Sequence, residues 1–101
     1  MLTETQEKLL MERTAEGDRS AFREIFDCYY PVVFGFMRSL LPSQEDACDV
    51  AQEVFIKLWL MRAALPDIIS LRFYLYRMSL NLTINFIKKN RCVAGSPLAD
   101  I

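Results

Sequence analysis

Three glycines and four prolines in 101 residues leave this chain few places to reverse direction. A β-sandwich or barrel needs a turn signal roughly every ten residues. This chain instead carries long stretches in which apolar residues recur at the 3.6-residue helical period, so a small all-α domain built from a few long helices is expected. The composition supports a core: 52% of residues are hydrophobic and 25% charged, a balance that excludes intrinsic disorder. The length suits one domain. No apolar run approaches the roughly 18 residues a membrane span requires. The start, Met1-Leu2-Thr3-Glu4, has neither the basic nor the apolar region of a signal peptide. Cys28, Cys48 and Cys92 are far apart in a chain without histidine, which gives no zinc ligand set and no Cys–His pair. A cytoplasmic chain with reduced thiols and no cofactor, metal or membrane partner is expected. Cys28 and Cys48 read as small core or half-buried hydrophobes, and Cys92 lies past the last helix.

Four helices can be drawn. The first runs from Thr5 to Glu16 with Leu9 and Leu10 inward, and Gly17 breaks it. Asp18 is placed to cap the second, which carries Ala21, Phe22, Ile25, Phe26 and Tyr29 at helical spacing. Pro31 either starts a new helix or kinks a continuous one, and Val32, Val33, Phe36, Met37, Leu40 and Leu41 carry the pattern on to Pro42. Ser43 caps a third helix running to about Ala63, with Glu45 and Asp46 at the positive end of its dipole. Leu65-Pro66-Asp67-Ile68-Ile69 is a break, and Ser70 caps a fourth helix running to about Arg91. Val93 to Ile101 reads as a linker or frayed tail. The expected architecture is a compact four-helix bundle over residues 1–91 with a tail at 92–101.

Charge is divided along the chain. Residues 1–61 hold six basic side chains against eleven acids, whereas residues 62–101 hold six basic side chains against Asp67 and Asp100 alone. Either two partners of opposite character are served or solvated charge is simply scattered.

Two helix faces sharpen the choice. On the third helix Ala47, Val50, Ala51, Val54, Leu58 and Met61 form a core stripe. Roughly opposite lie Glu45, Asp49, Gln52, Glu53, Ile56 and Leu60, acids beside large aliphatics that the core stripe has no room to bury. That is the composition of a protein-docking face, or of a solvated face with stray surface apolars. On the fourth helix Leu71, Leu75, Met78, Leu82 and Phe86 form the core stripe, and Tyr74, Arg77, Asn81, Asn85 and Lys88 a polar stripe on its shoulder. Asparagine is a weak helix former, but its amide donates and accepts at once, as base edges require. Arg77, Lys88, Lys89 and Arg91 suit phosphates, and Phe73 and Tyr74 suit stacking on an unpaired base. The competing explanation is an amphipathic helix whose basic end complements its dipole. Trp59 lies on neither stripe and reads as packing.

Three segments together carry a family resemblance: Glu16-Gly17-Asp18-Arg19-Ser20-Ala21-Phe22, Asp46-Ala47-Cys48-Asp49-Val50-Ala51-Gln52-Glu53-Val54-Phe55, and Phe73-Tyr74-Leu75-Tyr76-Arg77 continuing through Asn81 and Asn85 to Lys89. In this order and spacing they resemble region 2 of bacterial extracytoplasmic-function (ECF) sigma factors, over roughly Leu9 to Arg91. The resemblance implies transcription initiation without catalysis. It places Asp49, Gln52 and Glu53, extended by Ile56 and Leu60, against a coiled coil of the beta-prime subunit of core RNA polymerase. It places Asn81 and Asn85, with the loop Leu65–Ser70, on the melted non-template strand of the promoter −10 element. The expected DNA-binding set is Ser70, Tyr74, Arg77, Asn81, Asn85, Lys88, Lys89 and Arg91. An anti-sigma factor competing for the acidic face is expected by the same analogy.

The departures are specific. Cys48 stands where the family usually has an acid, Tyr74 where it often has tryptophan, and Asn85 where it often has aspartate. The family's second domain, region 4, has no counterpart in the ten residues after Arg91, so the sequence reads as a piece of a longer protein or a truncated one. A second class of function, a polymerase-binding adaptor or decoy, would use the Asp49/Gln52/Glu53 face and leave the asparagine stripe idle. No catalytic constellation or phosphate-binding glycine loop supports an enzyme.

Overall fold

The computed structural model describes residues 2–93, with side chains through Lys89. Four α-helices follow one another: α1 (Glu4–Ala15), α2 (Arg19–Leu40), α3 (Gln44–Leu60) and α4 (Leu71–Val93), with a 3-10 helix at Arg62–Asp67 between the last two. The expected all-α bundle is the fold. Helix α1 packs on α2 and on the 3-10 helix, α2 packs on α3 and α4, and α3 packs on α4.

Local chemistry sets the corners. Thr3 and Gln6 form a reciprocal capping box, the Gln6 N–H donating to Thr3 Oγ1 at 3.1 Å and the Thr3 N–H to Gln6 Oε1 at 2.9 Å. This starts α1 at Glu4, one residue before the expected start. The end of α1 is a Schellman turn, in which Gly17 N–H donates to the Thr14 carbonyl and Asp18 N–H to the Arg13 carbonyl. Gly17 sits at φ +96°, the left-handed region that glycine enters without steric cost.

Asp18 then serves both helices at once. Its Oδ1 accepts from the N–H groups of Ser20 and Ala21, capping α2. Its Oδ2 accepts from Arg13 Nε and Nη2 at 3.0 and 2.8 Å, tying α1 to the corner. The hydrogen bond from Arg13, followed by that from the Ala21 amide, holds the Asp18 carboxyl below its ordinary value. A depressed carboxylate pKa contributes stability that is present above the unfolded-state value and lost as pH falls through the folded-state value. Because asparagine also caps helices, Asp18→Asn isolates the charge. Urea unfolding is expected to find the variant less stable than wild type at pH 7, with the gap closing below the ordinary carboxylate pKa of 3.8. A gap that persisted unchanged into that acid range would refute the assignment.

Pro31 lies inside one continuous α2, which settles the alternative at that residue. Pro31 and Asp27 are both exposed, so the proline that deprives the Asp27 carbonyl of its helical donor sits on the solvent side of α2, where that loss costs least. Helix α3 ends at Leu60, three residues before its expected end. Pro66 is incompatible with α-geometry in the turn before it, and the chain tightens into the 3-10 helix. Ser70 caps α4, its Oγ accepting from Phe73 N–H at 3.3 Å.

The core is a spine of Ile25, Met37, Val54, Leu58, Leu65, Leu71 and Leu75, all fully buried. Three readings of burial change. Leu9 is 54% exposed, because α1 presents Leu10, Met11 and Thr14 inward and Leu9 is a 100° step away from Leu10. Met61 is half-buried, and Phe55 takes a core place beside Phe26, ring centroids 5.0 Å apart. On α4 the line of full burial is Leu71, Leu75, Ser79 and Thr83, with Met78, Leu82 and Phe86 half-buried beside it. The small residues let α4 approach α2 closely: Thr83 Oγ1 donates to Met37 Sδ at 3.1 Å, and Ser79 Oγ returns to the Leu75 carbonyl at 2.6 Å. Helix α4 continues past Arg91 to Val93. Of the expected tail, residues 94–101 lie outside the described residues, as do the side chains of Arg91 and Cys92.

Candidate functional site

Two faces stand apart on the bundle. The first is the outer face of α3, where Asp49, Gln52, Glu53, Ile56 and Leu60 are all exposed, Ile56 by 59% and Leu60 by 73%. Neither Asp49 nor Glu53 forms an ion pair among the described residues. Gln52 Nε2 donates to Cys48 Sγ at 3.3 Å, so the glutamine is tethered from below on its amide side. Cys48 is half-buried and turned to α2, with Tyr30 Oη 3.5 Å from its sulfur. That hydrogen bond, followed by burial, pushes the Tyr30 hydroxyl up to about 12. The Cys48 thiol therefore lies behind the face rather than on its rim.

Beside Ile56 and Leu60 runs a groove that single-helix reasoning missed. Phe22, Phe26, Phe55 and Trp59 floor a cavity of about 370 Å³ between the start of α2 and the end of α3. An adjoining shelf of about 460 Å³ adds Arg19 and Arg23. Trp59 does pack, its ring centroid 5.1 Å from that of Phe22, but it also lines this groove and is only half-buried. The available signal was the Phe22/Phe26 pair, one turn apart on the outer shoulder of the α2 stripe.

The second face is on α4. Arg77, Asn81, Asn85, Lys88 and Lys89 are exposed along one side. A cleft of about 390 Å³ between α3 and α4 gathers Tyr74, Arg77, Met78 and Asn81 with Lys57 of α3. Lys57 escaped the sequence reading because it belongs to a different helix. Tyr74 is half-buried and its hydroxyl donates to Met61 Sδ at 3.0 Å, so its ring is pinned and only partly open to a base. Phe73 is exposed but points away from the polar stripe, on a separate apolar line with Tyr76, Leu80, Ile84 and Ile87. That line is a feature of α4 the sequence reading did not resolve. Ser70 is exposed with its hydroxyl engaged in the α4 cap.

The loop before α4 divides. Leu65 is sealed in the core and is removed from any surface pocket, while Ile69 projects fully into solvent. The cavity beside this loop, about 260 Å³, opens toward α1 and is walled by Glu4, Glu7 and Asp67 together with Lys8. Basic charge without accompanying acids is confined to α4: from Leu71 to Val93 the chain carries five basic residues and no acid at all.

The bundle thus presents an acidic, aliphatic ridge on one helix and an amide-and-lysine stripe on another. Comparison with known proteins narrows this. The Sigma-70 region 2 family model matches residues 25–92, and the chain belongs to that family. It is 30% identical over 84 residues to the ECF RNA polymerase sigma factor SigW of Bacillus subtilis, covering 83% of this chain and 45% of that protein. It is 31% identical over 87 residues to the RNA polymerase sigma-H factor of Pseudomonas aeruginosa, covering 86% and 45%. The chain thus spans a little under half the length of these relatives. A solved structure of an engineered region 2 of sigmaE in complex with GTAAAA superposes with a TM-score of 0.72 at 31% identity, over 87% of this chain and 88% of that one. Among the described residues, no helix is long and apolar enough to cross a membrane.

Proposed function

We propose that this chain is the region of an ECF sigma factor that joins core RNA polymerase to the opened promoter. Asp49, Gln52 and Glu53, with Ile56 and Leu60, dock on the beta-prime coiled coil. Asp49 and Glu53, exposed and without ion-pair partners among the described residues, supply the charge for this contact, and the aliphatics supply desolvated area beside them. An anti-sigma factor that inhibits this chain would compete for the same ridge.

The α4 stripe holds the single-stranded −10 element. Arg77, Lys88 and Lys89, joined by Lys57 and by Arg91 further along the helix, neutralise phosphates. Asn81 and Asn85 read base edges, and the cleft over Tyr74 takes an unstacked base at its half-buried ring. The observation that carries this reading is the pairing of an acid-free, asparagine-bearing α4 with a 31% identical region 2 neighbour solved in complex with GTAAAA. An adaptor confined to polymerase would give no reason for two asparagines at exposed mid-helix positions.

Extruding a base from a duplex costs a few kcal/mol that a single strand does not demand. A fluorescein-labelled single strand containing GTAAAA is therefore expected to bind roughly tenfold or more tightly than its duplex in low salt, read by anisotropy. Equal or tighter binding of the duplex would overturn the DNA assignment.

A further inference from the structure

Trp59 is one of the last residues of α3, and its carbonyl belongs to the turn that an α-helix leaves without intrahelical donors. Beside the cap N–H of Met61, Arg62 adds a side-chain donor: its Nη1 donates to the Trp59 carbonyl at 3.0 Å. The same guanidinium lies over the indole, 4.4 Å from the ring centroid. The indole also meets Phe22 of α2, with ring centroids 5.1 Å apart and planes tilted by 55°. The tryptophan wall of the apolar groove thus contacts both a cation and a phenyl ring. Arg62 itself is half-buried and forms no ion pair among the described residues. A plain helix cap needs only a donor or a positive charge near the last carbonyls. A guanidinium placed over the ring does more, because it restricts the rotamer of the side chain that borders Ile56 and Leu60.

We propose that Arg62 is a positioning residue of the polymerase-docking surface: by holding the Trp59 indole, which borders Phe22, it keeps the groove beside Ile56 and Leu60 in the shape that a partner helix meets. This inference rests on the docking role assigned above to Asp49, Gln52 and Glu53. It extends that surface from the acidic ridge to the apolar groove and names the residue that holds the groove in place. Arg62 contacts no partner in this account and acts through Trp59.

The test uses the 101-residue chain, whose single tryptophan makes fluorescence specific to this wall. Arg62→Ala is expected to weaken binding to core RNA polymerase about tenfold, and to raise acrylamide quenching of Trp59 while the circular-dichroism spectrum stays helical. Arg62→Lys keeps the positive charge at the helix end but loses the guanidinium over the ring. It is expected to recover thermal stability while polymerase affinity and quenching remain altered, a split that a structural cap would not give. Gln52→Ala with Glu53→Lys serves as the control. If the control abolishes binding while Arg62→Ala keeps wild-type affinity, the positioning role is refuted and the docking surface stands. If Arg62→Lys restores affinity and stability together, Arg62 is a cap only and the proposal fails. If the control itself still binds, the docking surface is wrong and the role of Arg62 falls with it.

Discussion

Replacing Gln52 by alanine and Glu53 by lysine is expected to abolish co-purification of the chain with core RNA polymerase, a loss of roughly a hundredfold or more in affinity. The size follows from sign. A lysine placed where a carboxylate meets basic groups turns attraction into like-charge repulsion, which costs several kcal/mol at a desolvated contact. The fold is untouched by the same change. Both positions are exposed in the middle of α3, and alanine and lysine are good helix formers. The tether from Gln52 to Cys48 is a weak sulfur hydrogen bond at 3.3 Å. The helical circular-dichroism signal should therefore persist at the wild-type value. A variant that still co-purifies would show that the acidic ridge is a solvated face.

The second large effect is on DNA. Asn81→Ala with Lys88→Glu is expected to weaken single-stranded GTAAAA binding roughly a hundredfold at low salt. An amide that pairs a base edge contributes about 1–3 kcal/mol of discrimination, and the charge reversal removes one phosphate contact and adds a repulsive one. The two losses have different signatures. The lysine change should lower the salt dependence of binding, whereas Asn81→Ala alone should reduce preference for the hexamer over a scrambled strand. Both residues are exposed on α4, so stability is expected to change little. Unaltered anisotropy would remove α4 from the DNA interface.

The extent to which these features can be read from sequence depends on whether one helix contains them. Val50, Ala51, Val54 and Leu58 were legible as core because their spacing fits a single stripe, and all four are buried. Asp49, Gln52, Glu53, Asn81 and Asn85 were legible as surface for the same reason. The α2–α4 contact was not. Polarity ranks Ser79 and Thr83 as outward, yet close packing selects them for size, and their hydroxyls are satisfied by Leu75 and Met37. Leu65 reads as loop, but the 3-10 helix imposed by Pro66 turns it fully inward and leaves Ile69 outside. Features shared between helices were hidden altogether. The aromatic groove needs Phe22 and Phe26 of α2 against Trp59 of α3, and the basic cleft needs Lys57 of α3 beside Arg77 of α4. A helical wheel shows which way each residue faces but not which neighbour it meets.

The central claim is that the ridge on α3 and the stripe on α4 are separate binding surfaces on one domain. The most direct test measures each double variant against the partner it should not affect. The Asn81→Ala/Lys88→Glu chain is expected to bind core RNA polymerase within about twofold of wild type, and the Gln52→Ala/Glu53→Lys chain to bind single-stranded GTAAAA equally well, since substitutions at distant sites act independently. If either double variant loses both partners while remaining helical, the two surfaces are one and the account is contradicted.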